Sequence, residues 1–227
     1  AGDEAWTLFH SGLVRFGDAL PLSNDEAGLP VPLCWHTYKG EAAQINGQLL
    51  PGNLFDPSFP GVDRTRQPVQ VRGGYATPSG RLLSPTRQQT LKTAIDRHTG
   101  MAAESQLFGY EALTAGQRFR CVVSADDTVP AALWQRLQET LLGSASLGRS
   151  RSAQFGRVTI VASGSSSDGH AAGEATGTRL TLWLVSDLLL EEHGQPCLVP
   201  HPHLLGLPEG SRWLSEASFL RSRRYSA

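Results

Sequence analysis

Arg118-Phe-Arg-Cys-Val-Val123 runs through Asp126-Asp-Thr-Val-Pro130 into Leu133-Trp-Gln-Arg-Leu-Gln-Glu-Thr-Leu141, and Gly143 separates this run from Arg157-Val-Thr-Ile-Val161. The first segment alternates and then turns apolar, as a half-buried strand does. Asp126, Asp127 and Thr128 supply cap residues ahead of Pro130 in a first helical turn. Leu133, Leu137 and Leu141 fall at i, i+4 and i+8, so residues 129–142 are expected to form an amphipathic helix, with Gly143 as its left-handed C-terminal cap. Residues 157–161 read as the next strand. Strand, helix, glycine loop and strand make half of a ferredoxin-like α+β unit.

Upstream, aromatic and β-branched residues between Trp6 and Phe16 predict a strand, ended by Gly17, Asp18 and Pro21. Residues 22–60 are dense in Pro, Gly, Asn and Asp and read as a long irregular excursion. Residues 67–75 and 81–83 are expected to form a hairpin closed near Thr77-Pro-Ser-Gly80. Downstream, residues 163–178 have no apolar face and read as a flexible linker. Residues 179–185 alternate like a strand, and Glu191-Glu-His-Gly194 is expected to turn the chain back toward Leu198. The expected organisation is a ferredoxin-like domain over 1–162, a linker over 163–178 and an incomplete β-rich region over 179–227. The chain opens on Ala1 with a strand expected almost at once, so it is expected to be a piece of a longer protein.

The 227 residues carry 24 Gly and 14 Pro, too many for a helical bundle and too few for collagen or disorder. A formal charge of −1 argues against a protein that coats polyanions by bulk charge. The basic residues are nonetheless eighteen Arg against Lys39 and Lys92, and arginine suits bidentate contacts to phosphate or carboxylate. Three widely spaced cysteines (Cys34, Cys121, Cys197), none in a CxxC pair, indicate neither a disulfide framework nor a zinc ribbon. A reducing cytoplasm fits that usage, and no apolar stretch approaches the ~20 residues that span a bilayer.

Two stretches could bind nucleic acid. The loop from Leu147 to Val158 carries Arg149, Arg151 and Arg157 between glycines, which let backbone N–H groups turn inward around an anion while guanidiniums face a phosphate backbone. Its alternative is a solvated connector that needs glycine for its turns. Residues 64–97 hold Arg64, Arg66, Arg72, Arg81, Arg87, Lys92 and Arg97 against the single acid Asp96, a net +6. Tyr75 and His98 lie among them and could stack on bases; the alternative is an exposed hairpin whose arginines pair with acids elsewhere. Catalytic signals are weaker. Asp18 could be a metal-binding or general-base carboxylate of a ribonuclease, or a strand-end turn former. Asp96 and His98 share a strand face without forming an acid–base pair, and His201-Pro-His203 with His193 read as surface histidines rather than a metal site.

Four motifs taken together, in this order and spacing, carry a family resemblance. They are Leu13-Val-Arg-Phe-Gly-Asp-Ala-Leu-Pro21, Lys92-Thr-Ala-Ile-Asp-Arg-His-Thr-Gly100, Leu107-Phe-Gly-Tyr-Glu-Ala-Leu-Thr-Ala-Gly-Gln-Arg-Phe119 and Gly148-Arg-Ser-Arg-Ser-Ala-Gln-Phe-Gly156. From about Trp6 to Tyr225 the chain resembles the repeat-associated mysterious protein (RAMP) superfamily of CRISPR effector subunits. Leu182-Trp-Leu-Val-Ser-Asp-Leu-Leu-Leu190 with Gly194-Gln-Pro196 makes it most similar to the type III-D subunit that caps the crRNA 5′ handle. The resemblance implies a modified RNA-recognition fold with long insertions, lacking here the family's first strand and helix. It implies a structural subunit that binds crRNA, contacts neighbouring subunits of a type III complex and lies near target RNA, with no cofactor. By position Gly148, Arg149, Ser150, Arg151, Ser152 and Gly156 match the family's glycine loop. Two other readings stand beside it: a backbone-type RAMP subunit that cuts target RNA through Asp18 and a metal, and a protein-interaction module unrelated to nucleic acid.

Overall fold

A computed structural model describes residues 2–57, 61–95, 98–149, 155–164, 182–185, 190–197 and 201–211, the side chains of 102–105 excepted. In chain order the first elements are helix α1 (Gly2–Phe9) and strands β1 (Val14–Phe16), β2 (Leu20–Ser23), β3 (Glu26–Ala27), β4 (Leu29–Pro30), β5 (His36–Tyr38), β6 (Gln44–Ile45) and β7 (Gln48–Leu49). A 3-10 turn (Pro51–Asn53) precedes β8 (Pro68–Gln70), β9 (Tyr75–Ala76), β10 (Leu82–Leu83), β11 (Arg87–Ile95) and β12 (Ala102–Leu113). Then come β13 (Phe119–Arg120), β14 (Val123–Ala125), α2 (Ala131–Leu141), β15 (Gly143–Ser146) and β16 (Arg157–Ile160). Strands β17 (Leu190–Glu192) and β18 (Gln195–Cys197) and a second 3-10 turn (Pro202–Leu205) complete the described elements. All pairing among them is antiparallel, so the class is mixed α+β. No helix among the described residues is long and apolar enough to cross a membrane.

The chain divides into two compact units, each discontinuous in sequence. Unit 1 comprises Ala1–Gly17, Thr86–Gln117 and Cys121–Thr181; unit 2 comprises Asp18–Pro85, Arg118–Arg120 and Leu182–Ala227.

Unit 1 is built on one apolar cluster. Leu133 and Leu137 of α2, Val129 just before it, Leu8 of α1 and Val14 of β1 are buried together, with Leu13, Val123, Ala125, Trp134 and Leu141 around them. Two helices therefore pack on the β1–β14 pair, whose register is Val14↔Ala125, Arg15↔Ser124 and Phe16↔Val123. The leucine spacing that predicted α2 is the face it buries, although the helix starts at Ala131 rather than at 129. Pro130 occupies the cap position. Asp126 does not cap; its Oδ1 accepts from the Thr128 backbone N–H (2.9 Å) and hydroxyl (2.7 Å), forming a turn ahead of the helix. The Thr128 hydroxyl, its N–H and the charge of Arg15 hold the Asp126 carboxyl below its usual range. Gly143 has the expected positive φ of 101°, but it opens β15 after an extended Leu142.

The expected strand over Trp6–Phe16 is corrected: its first half is helix α1 and only Val14–Phe16 is strand. Asp3 and Glu4 in the first turn complement the helix dipole, and Glu4 meets Arg136 of α2 at 2.8 Å. Burial of Leu8 against α2 then overrides the β propensity of Trp6, Thr7 and Phe9. The single strand expected over 118–123 is likewise two. Phe119 and Arg120 pair with Pro21 and Leu20 in unit 2, whereas Val123–Ala125 pairs with β1 in unit 1.

The longest element was not foreseen. β11 and β12 form a hairpin of nine and twelve residues in register from Arg87↔Leu113 to Thr93↔Leu107, with an irregularity between Thr93 and Ile95. Unit 2 replaces the expected irregular excursion with short strands, in sheets ordered β13–β2–β3 and β10–β9–β4 and pairs β5–β8 and β6–β7. The hairpin closed at residues 77–80 is present as β9–β10, but β8 pairs with β5 rather than continuing it. Residues 182–185 form no strand; the Trp183 indole donates to Pro30 O (2.8 Å) and lies edge-on to Trp35. The turn expected at 191–194 is the β17–β18 hairpin. Most of the expected linker lies outside the described residues.

Because α2 carries the core of unit 1, Leu137→Ala is expected to cost about 2–4 kcal/mol in urea unfolding of the full chain. Leu91→Ser, at an exposed hairpin position, should stay within about 0.5 kcal/mol of the parent.

Candidate nucleic-acid interface

The glycine loop joins β15 to β16, whose register runs from Gly143↔Ile160 to Ser146↔Arg157. Its neck is closed by the Leu147 N–H donating to Gly156 O at 2.8 Å. Gly148 and Gly156 both have φ of +91°, a region that costs other residues roughly 1–2 kcal/mol. Gly156 is more constrained: a Cβ there would lie 2.1 Å from Leu147 O, while one on Gly148 would meet nothing within 4 Å. Arg149 stands exposed at the start of the loop and Arg157 exposed at the start of β16. Ser150, Arg151 and Ser152, the other expected loop residues, lie outside the described residues.

Phe155, next to Gly156, brings the loop against the long hairpin. Its ring lies 6.4 Å from that of Tyr110 on β12. The Lys92 ammonium on β11 is 5.5 Å from the Tyr110 ring centre and 5.8 Å from that of Phe155, within reach of a cation–π attraction. The register pairs Lys92 with Phe108 and Thr90 with Tyr110. Strand alternation within the regular part of the register therefore puts Thr90, Lys92, Phe108 and Tyr110 on one face and Leu91, Leu107 and Leu113 on the other. The first face offers half-exposed aromatic rings beside a cation, a combination that can stack on bases while charge meets phosphate.

The residues of the basic stretch 64–97 are divided between the units. In unit 2, Arg66 is engaged by its own fold: its guanidinium bonds Glu41 at 2.5 Å and lies 4.0 Å over the Tyr38 ring. The bond to Glu41, with help from Tyr38 and Asp63, raises its already high pKa further. Arg64 and Arg72 are exposed, and Tyr75 is half-buried in β9, the middle strand of its sheet. In unit 1, Arg87 pairs with Glu111 at 2.6 Å, and His98 sits exposed at the tip of the β11–β12 hairpin. Arg97 lies outside the described residues.

Asp18 is exposed on the link from β1 to β2 and belongs to no grouping of metal-ligating side chains among the described residues. Such a grouping does occur elsewhere: donor atoms of Glu192, Cys197 and His201 all lie within 4.8 Å of one another. Burial, assisted by the charge of Asp56, pushes the Cys34 thiol up to about 11, so it is protonated at neutral pH and unsuited to nucleophilic work.

Lys92 was counted only within the basic stretch 64–97, and Phe108, Tyr110 and Phe155 were not singled out as binding residues from sequence. Their only signal was the pair of aromatics two residues apart at 108 and 110, which strand alternation places on one face. A scan of the chain against protein-family models finds no match, and no curated protein matches it.

Gly156→Ala is expected to open the loop neck, raising the amide exchange rate of Leu147 at least tenfold. Gly148→Ala, strained in φ but unobstructed, should raise it less; equal effects would show that the close approach at Gly156 does not hold the loop.

Proposed function

We propose that the chain is an RNA-binding structural subunit of a ribonucleoprotein complex, in the sense the RAMP resemblance implies: it binds crRNA in a type III CRISPR effector, caps the 5′ handle and contacts neighbouring subunits. The observation that carries the RNA-binding reading is the meeting of Phe155, from the arginine-bearing glycine loop, with Tyr110 and Lys92 of the long hairpin. A glycine loop and a basic aromatic face, far apart in sequence, become one surface on unit 1.

The element order supports the finer fold. Helix α1 takes the place of the first helix that was expected to be lacking, and with strand β1, strand β14, helix α2 and strand β15 it follows the helix–strand–strand–helix–strand order within a ferredoxin-like unit, both helices packed on the strand pair. The first two segments of unit 2 and the hairpin enter between the paired strands, in keeping with the long insertions the resemblance implies. The thin core supports a subunit role, since none of the described side chains is completely buried. Leu91, Leu107 and Leu113 stand 50–68% exposed on the hairpin face opposite Lys92, an apolar surface of the kind subunit contacts cover.

Fluorescence anisotropy of the full chain on a repeat-handle RNA and on a scrambled RNA of equal length tests this. Binding should weaken with salt by about 0.7 log units per phosphate contact for each tenfold rise in salt. Tyr110→Ala and Phe155→Ala should each weaken it by about 5- to 100-fold, the worth of one stacked base. Arg149→Ala and Arg157→Ala should each lower the salt slope by about one contact. Preference for the handle supports the capping position, and equal affinity for both RNAs replaces it with a filament position. Affinity indifferent to Lys92, Tyr110 and Phe155 together would favour the interaction module. Target RNA given Mg²⁺ should stay intact; cleavage abolished by Asp18→Ala would establish the nuclease reading instead.

A further inference from the structure

We propose that Glu192, Cys197 and His201, with His203 behind Glu192, form a binding site for a zinc-like divalent ion that ties the second 3-10 turn to the β17–β18 hairpin. The site belongs to unit 2 and stands independently of the RNA surface on unit 1.

The hairpin fixes two of the donors. Its register sets Glu192 opposite Gln195 and Leu190 opposite Cys197, so alternation places Glu192 and Cys197 on one face, diagonal to each other. Between them His193 and Gly194 take φ of +51° and +75°, the left-handed pair of a two-residue hairpin turn, which leaves little freedom in the register. Both donor residues are half-buried.

The third donor is held from the other side. His201 precedes Pro202 at the start of the 3-10 turn, its carbonyl accepts from the Leu204 N–H at 3.0 Å, and Gly206 closes the turn at φ +66°. The described part of the chain thus presents a thiol, an imidazole and a carboxylate within 4.8 Å of one another. Tetrahedral zinc, with bonds of about 2.0–2.3 Å, needs its ligand atoms about 3.3–3.6 Å apart. Side-chain rotation alone can make up the difference of roughly 1 Å.

Donor chemistry selects the ion. Hard Mg²⁺ and Ca²⁺ take oxygen ligands, whereas a Cys–His–carboxylate set suits a borderline metal such as Zn²⁺ or Co²⁺. His203 strengthens the assignment, since its Nε2 lies 2.9 Å from Glu192 Oε1, the outer partner that orients a ligating carboxylate and leaves its other oxygen for the ion. The His201 and His203 rings are stacked, 5.7 Å apart and 14° from parallel, so the two imidazoles support one another's placement. Sequence gave no CxxC or HxxxH signature, because the spacing Glu-x4-Cys-x3-His becomes a cluster only when the hairpin folds back.

Titration of the full chain, dialysed metal-free, with Co²⁺ under reducing conditions tests the site. The expected result is saturation at one equivalent, with the near-ultraviolet sulfur-to-cobalt charge-transfer band and the intense visible bands of tetrahedral cobalt, both displaced by Zn²⁺. Cys197→Ser should abolish the charge-transfer band, and a Cys34→Ser/Cys121→Ser chain should keep it. His201→Ala should weaken binding at least tenfold, and His203→Gln by about 10- to 100-fold with the band retained. Absence of saturable one-to-one binding by the unsubstituted chain would overturn the proposal, as would a charge-transfer band that survives Cys197→Ser.

Discussion

Unit 1 depends on the contact of Leu8 and Val14 with Val129, Leu133 and Leu137. β1 and β14 are three residues each, too short to pair stably by their own hydrogen bonds, and α1 is only eight residues, below the length at which an isolated helix persists. Each element becomes stable only when the shared apolar cluster removes it from water. The same cluster closes a long excursion, because β1 lies before the first two segments of unit 2 and β14 after them. For a flexible loop of roughly a hundred residues, closure costs about 4 kcal/mol, and short pairings inside unit 2 reduce that cost by shortening the free chain. β2 and β13 do so first, pairing Leu20 with Arg120 a few residues inside the ends of the excursion.

Given that anchor, the candidate interface follows from two hairpins of different character. The β15–β16 hairpin follows directly from α2, and its loop keeps its shape because Gly156 admits a carbonyl where any side chain would collide. The β11–β12 hairpin is long and exposed on both faces, so its own core cannot explain its shape. Its two faces are chemically distinct, one carrying Leu91, Leu107 and Leu113 beside the Arg87–Glu111 pair and the other cationic–aromatic, which fits a ribbon with a different neighbour on each side.

What could be read from sequence tracks how local the determining interaction is. α2 was readable because Leu133, Leu137 and Leu141 encode its buried stripe within eleven residues. α1 was not, because Trp6, Thr7 and Phe9 have strand propensity and the deciding contact of Leu8 lies more than a hundred residues away. The β11–β12 hairpin was missed because Gln88, Gln89, Thr90 and Lys92 show no period-two hydrophobicity when neither face is buried. The strands of unit 2 are mostly two or three residues, and partners remote in sequence define them. In the interface, the glycine loop could be located because glycine and arginine mark it locally. Its aromatic partner could not, since Tyr110 and Phe155 meet only after folding. The grouping of Glu192, Cys197 and His201 was not readable for the same reason, and sequence took His193, His201 and His203 as surface histidines.

Net charge proves a poor guide to this surface. Arg66, Arg87, Arg118 and Arg136 are each paired with an acid, namely Glu41, Glu111, Asp25 and Glu4. These exposed pairs contribute little stability individually, but they remove four guanidiniums from the charge available to a ligand. Arg149 and Arg157 have no ion pair among the described residues, and the Lys92 ammonium lies within 6 Å of the Tyr110 and Phe155 ring centres. A chain of formal charge −1 can therefore present a locally cationic face, because paired and unpaired charges are distributed unevenly over the fold. Phosphate attraction decays within about 10 Å at 0.1 M salt, so this local arrangement, and not the sum over the chain, sets what a phosphate backbone meets.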